Sequence, residues 1–297
     1  MQYGSNEVLH DVTFAVRRGE VLALLGPNGA GKTTTIEILE GFRRRSAGTV
    51  TVLGVDPAQG DEAWRARIGV VLQSWRDHAK WKVRDLLVNH GSLYRPYASA
   101  AIPRPRDVDE VLAAVGLTDK AASKVGQLSG GQRRRLDVAI GIIGNPEVLF
   151  LDEPTTGFDP EARREFHSLV QDLAKSGNTT ILLTTHDLAE AEKLSDRIII
   201  LAKGRVRADG SVAELAGTVT AKTTVTWRKG SETFTDETSE PIPYLRRLFD
   251  SSDDIEIISV YRPSLEDTYL SIVRTDDFRA SNPHAETPAQ VAAEAQR

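Results

Sequence analysis

The nine residues Gly26-Pro27-Asn28-Gly29-Ala30-Gly31-Lys32-Thr33-Thr34 constrain this chain more than any other stretch. They follow an apolar run, Val21 to Leu25, and open a segment of helical character, Thr34 to Leu39. A Gly-x-x-x-x-Gly-Lys-Thr run between a strand and a helix lets glycines bring successive backbone N–H groups against phosphate oxygens. The positive end of the following helix adds a favourable field, Lys32 adds a full charge, and Thr33 adds a hydroxyl suited to Mg²⁺. The alternative is a chance Gly-rich turn, against which the flanking strand and helix weigh. By itself the cradle is compatible with kinases, GTPases and motors alike.

With 297 residues and 40% apolar content, the chain can bury one core of roughly 200 residues and still carry a smaller appended unit. Its longest apolar runs, Val138 to Ile143 and Ile198 to Ala202, fall well short of the roughly 18 to 20 residues a membrane-spanning helix needs. Met1-Gln2-Tyr3 begins no basic-then-apolar leader, so neither a membrane crossing nor secretion is expected. Without cysteine there are no disulfides or thiolate metal sites, which fits a reducing cytoplasm. A net charge of −5 gives no chain-wide basic field for nucleic acid. The runs Arg43-Arg44-Arg45 and Arg133-Arg134-Arg135 are expected to be solvated or phosphate-proximal helix faces.

Residues 8 to 25 alternate like a strand pair, with Val12, Phe14 and Val16 on one side and a turn at Arg17 to Glu20. Gly48 to Val55 and Ile68 to Leu72 are expected to be further strands. From Ser74 the pattern becomes helical and polar, with Asp107 and Glu110 as a capping pair ahead of Val108, Val111, Leu112 and Val115. Strand and helix then alternate: Val148 to Leu151, Pro160 to Lys175, Thr179 to Thr185, Leu188 to Leu194 and Arg197 to Ala202. The expected fold is α/β, a mainly parallel sheet with N-terminal antiparallel strands and a helical subdomain at about 74–140. The first domain spans 1–217, a small α+β appendage 218–275, and 276–297 is expected to be a disordered tail.

Asp152 and Glu153 end an apolar strand, where an ionised pair is costly unless a cation compensates. Mg²⁺ on a nucleotide would do so, with Asp152 orienting the metal and Glu153 polarising the attacking water. The plainer alternative is a helix cap and a solvated loop. Leu128-Ser129-Gly130-Gly131-Gln132 precedes a second helix and offers a second anion-binding helix start.

A phosphate cradle, then Leu-Ser-Gly-Gly-Gln, then a strand ending Asp-Glu 23 positions after Ser129, resembles the ATP-binding subunits of ABC transporters over Tyr3 to Gly217. The resemblance implies a P-loop NTPase of ABC type that uses ATP and Mg²⁺. It makes Gly26 to Thr34 the phosphate loop, Asp152 the magnesium-binding aspartate and Glu153 the catalytic glutamate. Gln73 matches the glutamine that touches Mg²⁺ beside the membrane partner, and His186 the histidine that senses the γ-phosphate. Tyr3, 23 positions before Gly26, matches the aromatic that stacks on adenine. Plain alternatives stand beside these: Gln73 and His186 as loop residues, Tyr3 as a frayed terminus, and Asp159 before Pro160 as a simple helix N-cap. In the family Asp159 lies where two subunits cross, and Phe158 stands where leucine is more usual.

In the family, Ser129 and Gly131 reach the nucleotide of the other subunit, implying a homodimer on the cytoplasmic face of the cell membrane, driven against a separately encoded permease without direct nucleic-acid contact. Arg262 to Leu270 resembles the Pro-Ser-Leu-Glu-Asp ending of export-type subunits of the daunorubicin-resistance kind, which handle drugs, antibiotics or lipids. The rivals are a soluble ABC-type ATPase of DNA repair or translation and a non-hydrolysing nucleotide sensor. The first would usually show tandem cassettes, a coiled-coil insert or a basic face; the second would lack Glu153, His186 or Lys32.

Overall fold

A computed structural model describes residues 1–4, 6–71, 78–175, 179–218, 223–251, 254–261, 264–267 and 269–270. The chain divides into two compact units, Met1–Asp209 and Gly210–Arg297. The division falls before the helix at 212–218, whereas the sequence places it after Gly217.

The first unit opens on two short antiparallel strands, β1 (Gln2–Tyr3) and β2 (Asn6–Glu7). β3 (Val21–Leu25) follows, buried at every residue, and runs into α1 (Lys32–Leu39). Next come α2 (Glu62–Arg65), β4 (Ile68–Val71), α3 (Val83–Ser92), α4 (Val108–Ala114) and α5 (Gly130–Ile142). β5 (Val148–Asp152), α6 (Pro160–Lys175), β6 (Thr180–Thr185), α7 (Leu188–Leu194), β7 (Arg197–Ala202) and β8 (Arg205–Gly210) follow. Six strands make one sheet in the order β4-β5-β6-β3-β7-β8, and every pairing from β4 to β7 is parallel.

Parallel strands are covered on both faces and so become continuous apolar runs, as β3 is and as β7 is after Arg197. α1 packs on β5 and β6, α5 on β4 and α7 on β3. Leu22, Leu24, Ile36, Phe150, Leu182, Ile199 and Leu201 share one core cluster. The helical insert gathers α3, α4 and α5 against one another. Asp107 caps α4 by accepting from the N–H groups of Asp109 and Glu110, and Gly116, at φ 65°, follows its C-terminal end.

Two expected strands are absent. Residues 12–16 form no ladder: Val12, Phe14 and Val16 are half-buried and pack onto the core, so their alternation reflects contact rather than strand pairing. Gly48 to Val55 contains only a bridge between Val52 and Val55, closed by a turn in which Leu53 and Gly54 both take positive φ.

Glu40, next after α1, is buried, and its pKa is pushed up to about 8 by burial, then by the charges of Asp152 and Glu37. A raised carboxyl pKa contributes stability that is complete below 4.5 and lost as pH rises through about 8. At about 1.4 kcal/mol per pH unit, the gap bounds that loss at about 5 kcal/mol. Glu40→Gln is expected to match the parent near pH 5 and exceed it above pH 8 in chemical denaturation without nucleotide. Parallel pH profiles for the two proteins would contradict this.

In the second unit, α8 (Val212–Thr218) precedes β9 (Thr223–Lys229), which lies between β10 (Glu232–Thr238) and β11 (Ile255–Tyr261), antiparallel to both. Trp227 stacks on Phe234, and its indole N–H donates to Asp236, which also accepts from the Tyr244 hydroxyl on α9 (Pro241–Ser251). Of the Pro-Ser-Leu-Glu-Asp run, Ser264 donates to the Asp267 carboxylate, while Pro263 lies outside the described residues, as does the expected tail 276–297.

Candidate active site

β5, β6 and β3 are neighbours in the sheet, so the segments leaving their carboxyl ends converge, where open parallel sheets bind ligands. The Gly26–Thr34 loop leaves β3, Asp152 ends β5 with Glu153 next after it, and His186 follows β6.

Gly26 lies so close to β7 that a Cβ there would sit 2.2 Å from the Leu201 carbonyl oxygen, and Gly31 takes φ 104° at the N-cap of α1. Both positions need glycine. Lys32, only 5% exposed, donates from Nζ to the carbonyls of Gly26 at 2.8 Å and Pro27 at 3.2 Å. Its ammonium is thus held at the mouth of the cradle by oxygens that phosphate oxygens can replace.

Glu153 takes φ 42°, a left-handed backbone that is rare outside glycine. Its N–H donates to Thr184 Oγ1 at 3.0 Å, and the same hydroxyl donates to Asp152 Oδ1. The Glu153 carboxylate lies 3.3 Å from Lys32 Nζ and 3.4 Å from His186 Nδ1, and accepts from the Thr156 hydroxyl at 3.2 Å. Burial opposes ionisation of Glu153, but the Lys32 and His186 groups outweigh it and hold its pKa below the usual carboxylate value. The carboxylate is therefore anionic near neutrality and placed to accept a proton.

The Thr33 hydroxyl and the Asp152 carboxylate are hard oxygen donors that suit Mg²⁺. Among the described residues no group of three or more His, Cys, Asp or Glu side chains could hold a metal by itself.

Ser129 caps α5 in a reciprocal box: its hydroxyl accepts from Gln132 N–H, and Gln132 Oε1 accepts from Ser129 N–H. Ser129 and Gly130 are exposed and line an open cleft of about 1100 Å³ with Leu128, Gly131, Glu153 and Asp159. No residue of Gly26–Thr34 lines that cleft. Asp159 caps α6 by accepting from the N–H groups of Glu161 and Ala162 at 3.0 and 2.9 Å. Gln73 lies outside the described residues, as does the side chain of Tyr3.

Sequence reasoning overlooked Thr184, whose hydroxyl joins Asp152 to Glu153. A buried threonine hydroxyl needs a partner, and the threonines that end the β6 strand, Thr184 and Thr185, were the available signal. It also missed Thr155, whose buried hydroxyl donates to Glu190 on α7 at 2.7 Å. The arginine runs behave unevenly. Arg43 pairs with Glu37, and Arg45 pairs bidentately with Asp56, but Arg134 is buried rather than solvated, at the lining of the Ser129 cleft.

A sequence pattern for the ABC transporter family matches residues 9–156. The chain is 36% identical to daunorubicin resistance ATP-binding protein DrrA3 of Streptomyces coeruleorubidus, across 93% of this chain and 94% of that protein. It belongs to the ABC transporter ATP-binding proteins. This ABC protein is accordingly an ATP-binding ATPase with an α/β P-loop core. It is also 40% identical to Nod factor export ATP-binding protein I of Burkholderia lata, across 71% of this chain and 68% of that protein. A solved ATP-binding cassette, dimeric in a post-hydrolysis state with ADP and Pi, superposes with a TM-score of 0.59 at 25% identity, covering 71% of this chain and 94% of that one. No helix among the described residues is long and apolar enough to cross a membrane.

Proposed function

We propose that this ABC protein is the ATP-hydrolysing subunit of an export system, closing as a homodimer on ATP and driving a separately encoded permease at the cytoplasmic face of the membrane. The observation that carries the catalytic part is the Glu153 carboxylate, held 3.3 Å from Lys32 Nζ and 3.4 Å from His186 Nδ1 at the carboxyl end of β5.

On ATP binding, Lys32 exchanges the Gly26 and Pro27 carbonyls for β- and γ-phosphate oxygens, and the N–H groups of Gly29 to Thr34 line the phosphates. Glu153 accepts a hydrogen bond from a water and aligns it with the γ-phosphorus. As the water oxygen bonds to phosphorus, the bond to the β-bridging oxygen breaks and the water's proton passes to Glu153, leaving ADP and phosphate. His186 contacts the γ-phosphate on one side. Thr33 and Asp152, with Gln73, would hold Mg²⁺, which when bound neutralises charge on the phosphates.

Ser129 and Gly131 open onto a cleft lined by Glu153 but by no residue of their own chain's Gly26–Thr34 loop, and a two-fold partner would bring them over its nucleotide and cross at Asp159. Tyr3 would stack on adenine. The export direction, and a drug, antibiotic or lipid as cargo, are supported by the resistance and Nod factor export relatives.

The permease assignment has a direct test. A tagged chain recovered from detergent-solubilised membranes of its own organism is expected to bring with it a polytopic membrane protein that lacks a cassette. Recovery only from the soluble fraction, with nucleic-acid-processing proteins, would favour the soluble ATPase instead.

A further inference from the structure

The turn that carries Glu153 holds a left-handed residue between two main-chain carbonyls, those of Asp152 and Pro154. A non-glycine residue in that region costs about 1–3 kcal/mol and persists only where its surroundings fix it. Thr184 supplies one fixing contact, through the Glu153 N–H. The carbonyl side is held from elsewhere. Arg134, on α5, donates from Nε to the Pro154 carbonyl at 2.9 Å and from a terminal nitrogen to the Asp152 carbonyl at a longer 3.5 Å. Its guanidinium is buried, with Asp137 at 3.8 Å as its carboxylate neighbour.

Burying a guanidinium is expensive, and a plain anchor between a helix and a strand could be apolar at lower cost. What a guanidinium adds is a planar array of donors, here spread over the two carbonyls that bracket Glu153. Rotation of either peptide would swing the Glu153 side chain away from Lys32 and His186. A shift of about 1 Å in a reacting group can cost about 100-fold in rate. The same helix begins at Ser129, so one rigid element both presents the Leu-Ser-Gly-Gly-Gln run and fixes the turn at Glu153.

We infer that Arg134 is a positioning residue for ATP hydrolysis, acting through the backbone on either side of Glu153 to hold its carboxylate in place. The inference rests on Glu153 being the water-polarising group. Arg134 would act through the main-chain carbonyls of Pro154 and Asp152, to which it donates.

The test compares the full chain with Arg134→Met, Arg134→Lys, Glu153→Gln and the Arg134→Met/Glu153→Gln double variant, measuring kcat, KM and fluorescent-ATP affinity. Arg134→Met, similar in size but without donors, is expected to lower kcat about 10- to 100-fold while KM and ATP affinity change less than about twofold. Arg134→Lys should recover part of kcat. The double variant should turn over no more slowly than Glu153→Gln alone, since Arg134 has nothing left to position.

Parental kcat in Arg134→Met, a loss confined to KM, or a double variant slower than Glu153→Gln by the full single-variant factor would overturn the inference. If Arg134→Met does not fold, Arg134→Lys decides: reduced kcat at unchanged KM supports positioning, and parental kcat refutes it. A merely structural role would lower the melting temperature without splitting kcat from KM. Ordinary turnover in Glu153→Gln would remove the underlying reading, whereas an inactive Glu153→Gln beside a normal Arg134→Met would remove this inference alone.

Discussion

Glu153→Gln is expected to bind ATP with near-parental affinity while losing about 100- to 10,000-fold in turnover, the range a positioned general base contributes. Glutamine keeps the shape and one hydrogen-bonding oxygen but cannot take the proton from water. It also removes the anion that lies 3.3 Å from Lys32 and 3.4 Å from His186, which leaves Lys32 freer to meet phosphate. ATP therefore stays bound, and if hydrolysis releases the partner as proposed, the variant should accumulate as an ATP-bound dimer. Stopped-time phosphate release and sedimentation with Mg-ATP measure the two effects. Normal phosphate release would take the catalytic role from Glu153.

Lys32→Ala should act at the earlier step, binding. A charge-assisted hydrogen bond in a nearly enclosed position contributes about 1.5–3 kcal/mol, which corresponds to roughly 10- to 100-fold in ATP affinity. The fold should tolerate the change, because Lys32 Nζ rests on two loop carbonyls that the cradle's open side can hydrate. A second consequence concerns Glu153. With Lys32 gone, the first of the charges opposing burial disappears, so the Glu153 pKa should rise from its depressed value. Equilibrium binding of a fluorescent ATP analogue checks the main effect, and unchanged affinity would contradict the phosphate-cradle assignment.

Much of the site was legible because local chemistry specifies it. The Gly26–Thr34 loop, the Ser129 cap of α5 and the Asp159 cap of α6 each need only a few consecutive residues. Parallel strands such as β3, and β7 after Arg197, show as unbroken apolar runs for the same reason.

What escaped depends on distant partners. Val12, Phe14 and Val16 alternate as a strand would, yet find core contacts and no ladder. Arg134 sits in a tri-arginine run that reads as solvated, and its burial follows only from the approach of Pro154, 20 positions later. Glu40 follows a short helix whose sequence does not announce that Asp152 will fold nearby. Gln73 and the side chain of Tyr3 stay with their assignment by resemblance.

The composite site can be tested by mixing two inactive variants. Ser129→Arg spoils the signature end and leaves the cradle whole; Lys32→Ala spoils the cradle and leaves the signature end whole. A mixed dimer then contains one site built from both intact halves. ATPase activity is predicted to be near background for each variant alone and to return when equal amounts are mixed before ATP is added. Full activity of Ser129→Arg by itself, or no recovery on mixing two folded, inactive chains, would contradict a nucleotide site shared between two copies.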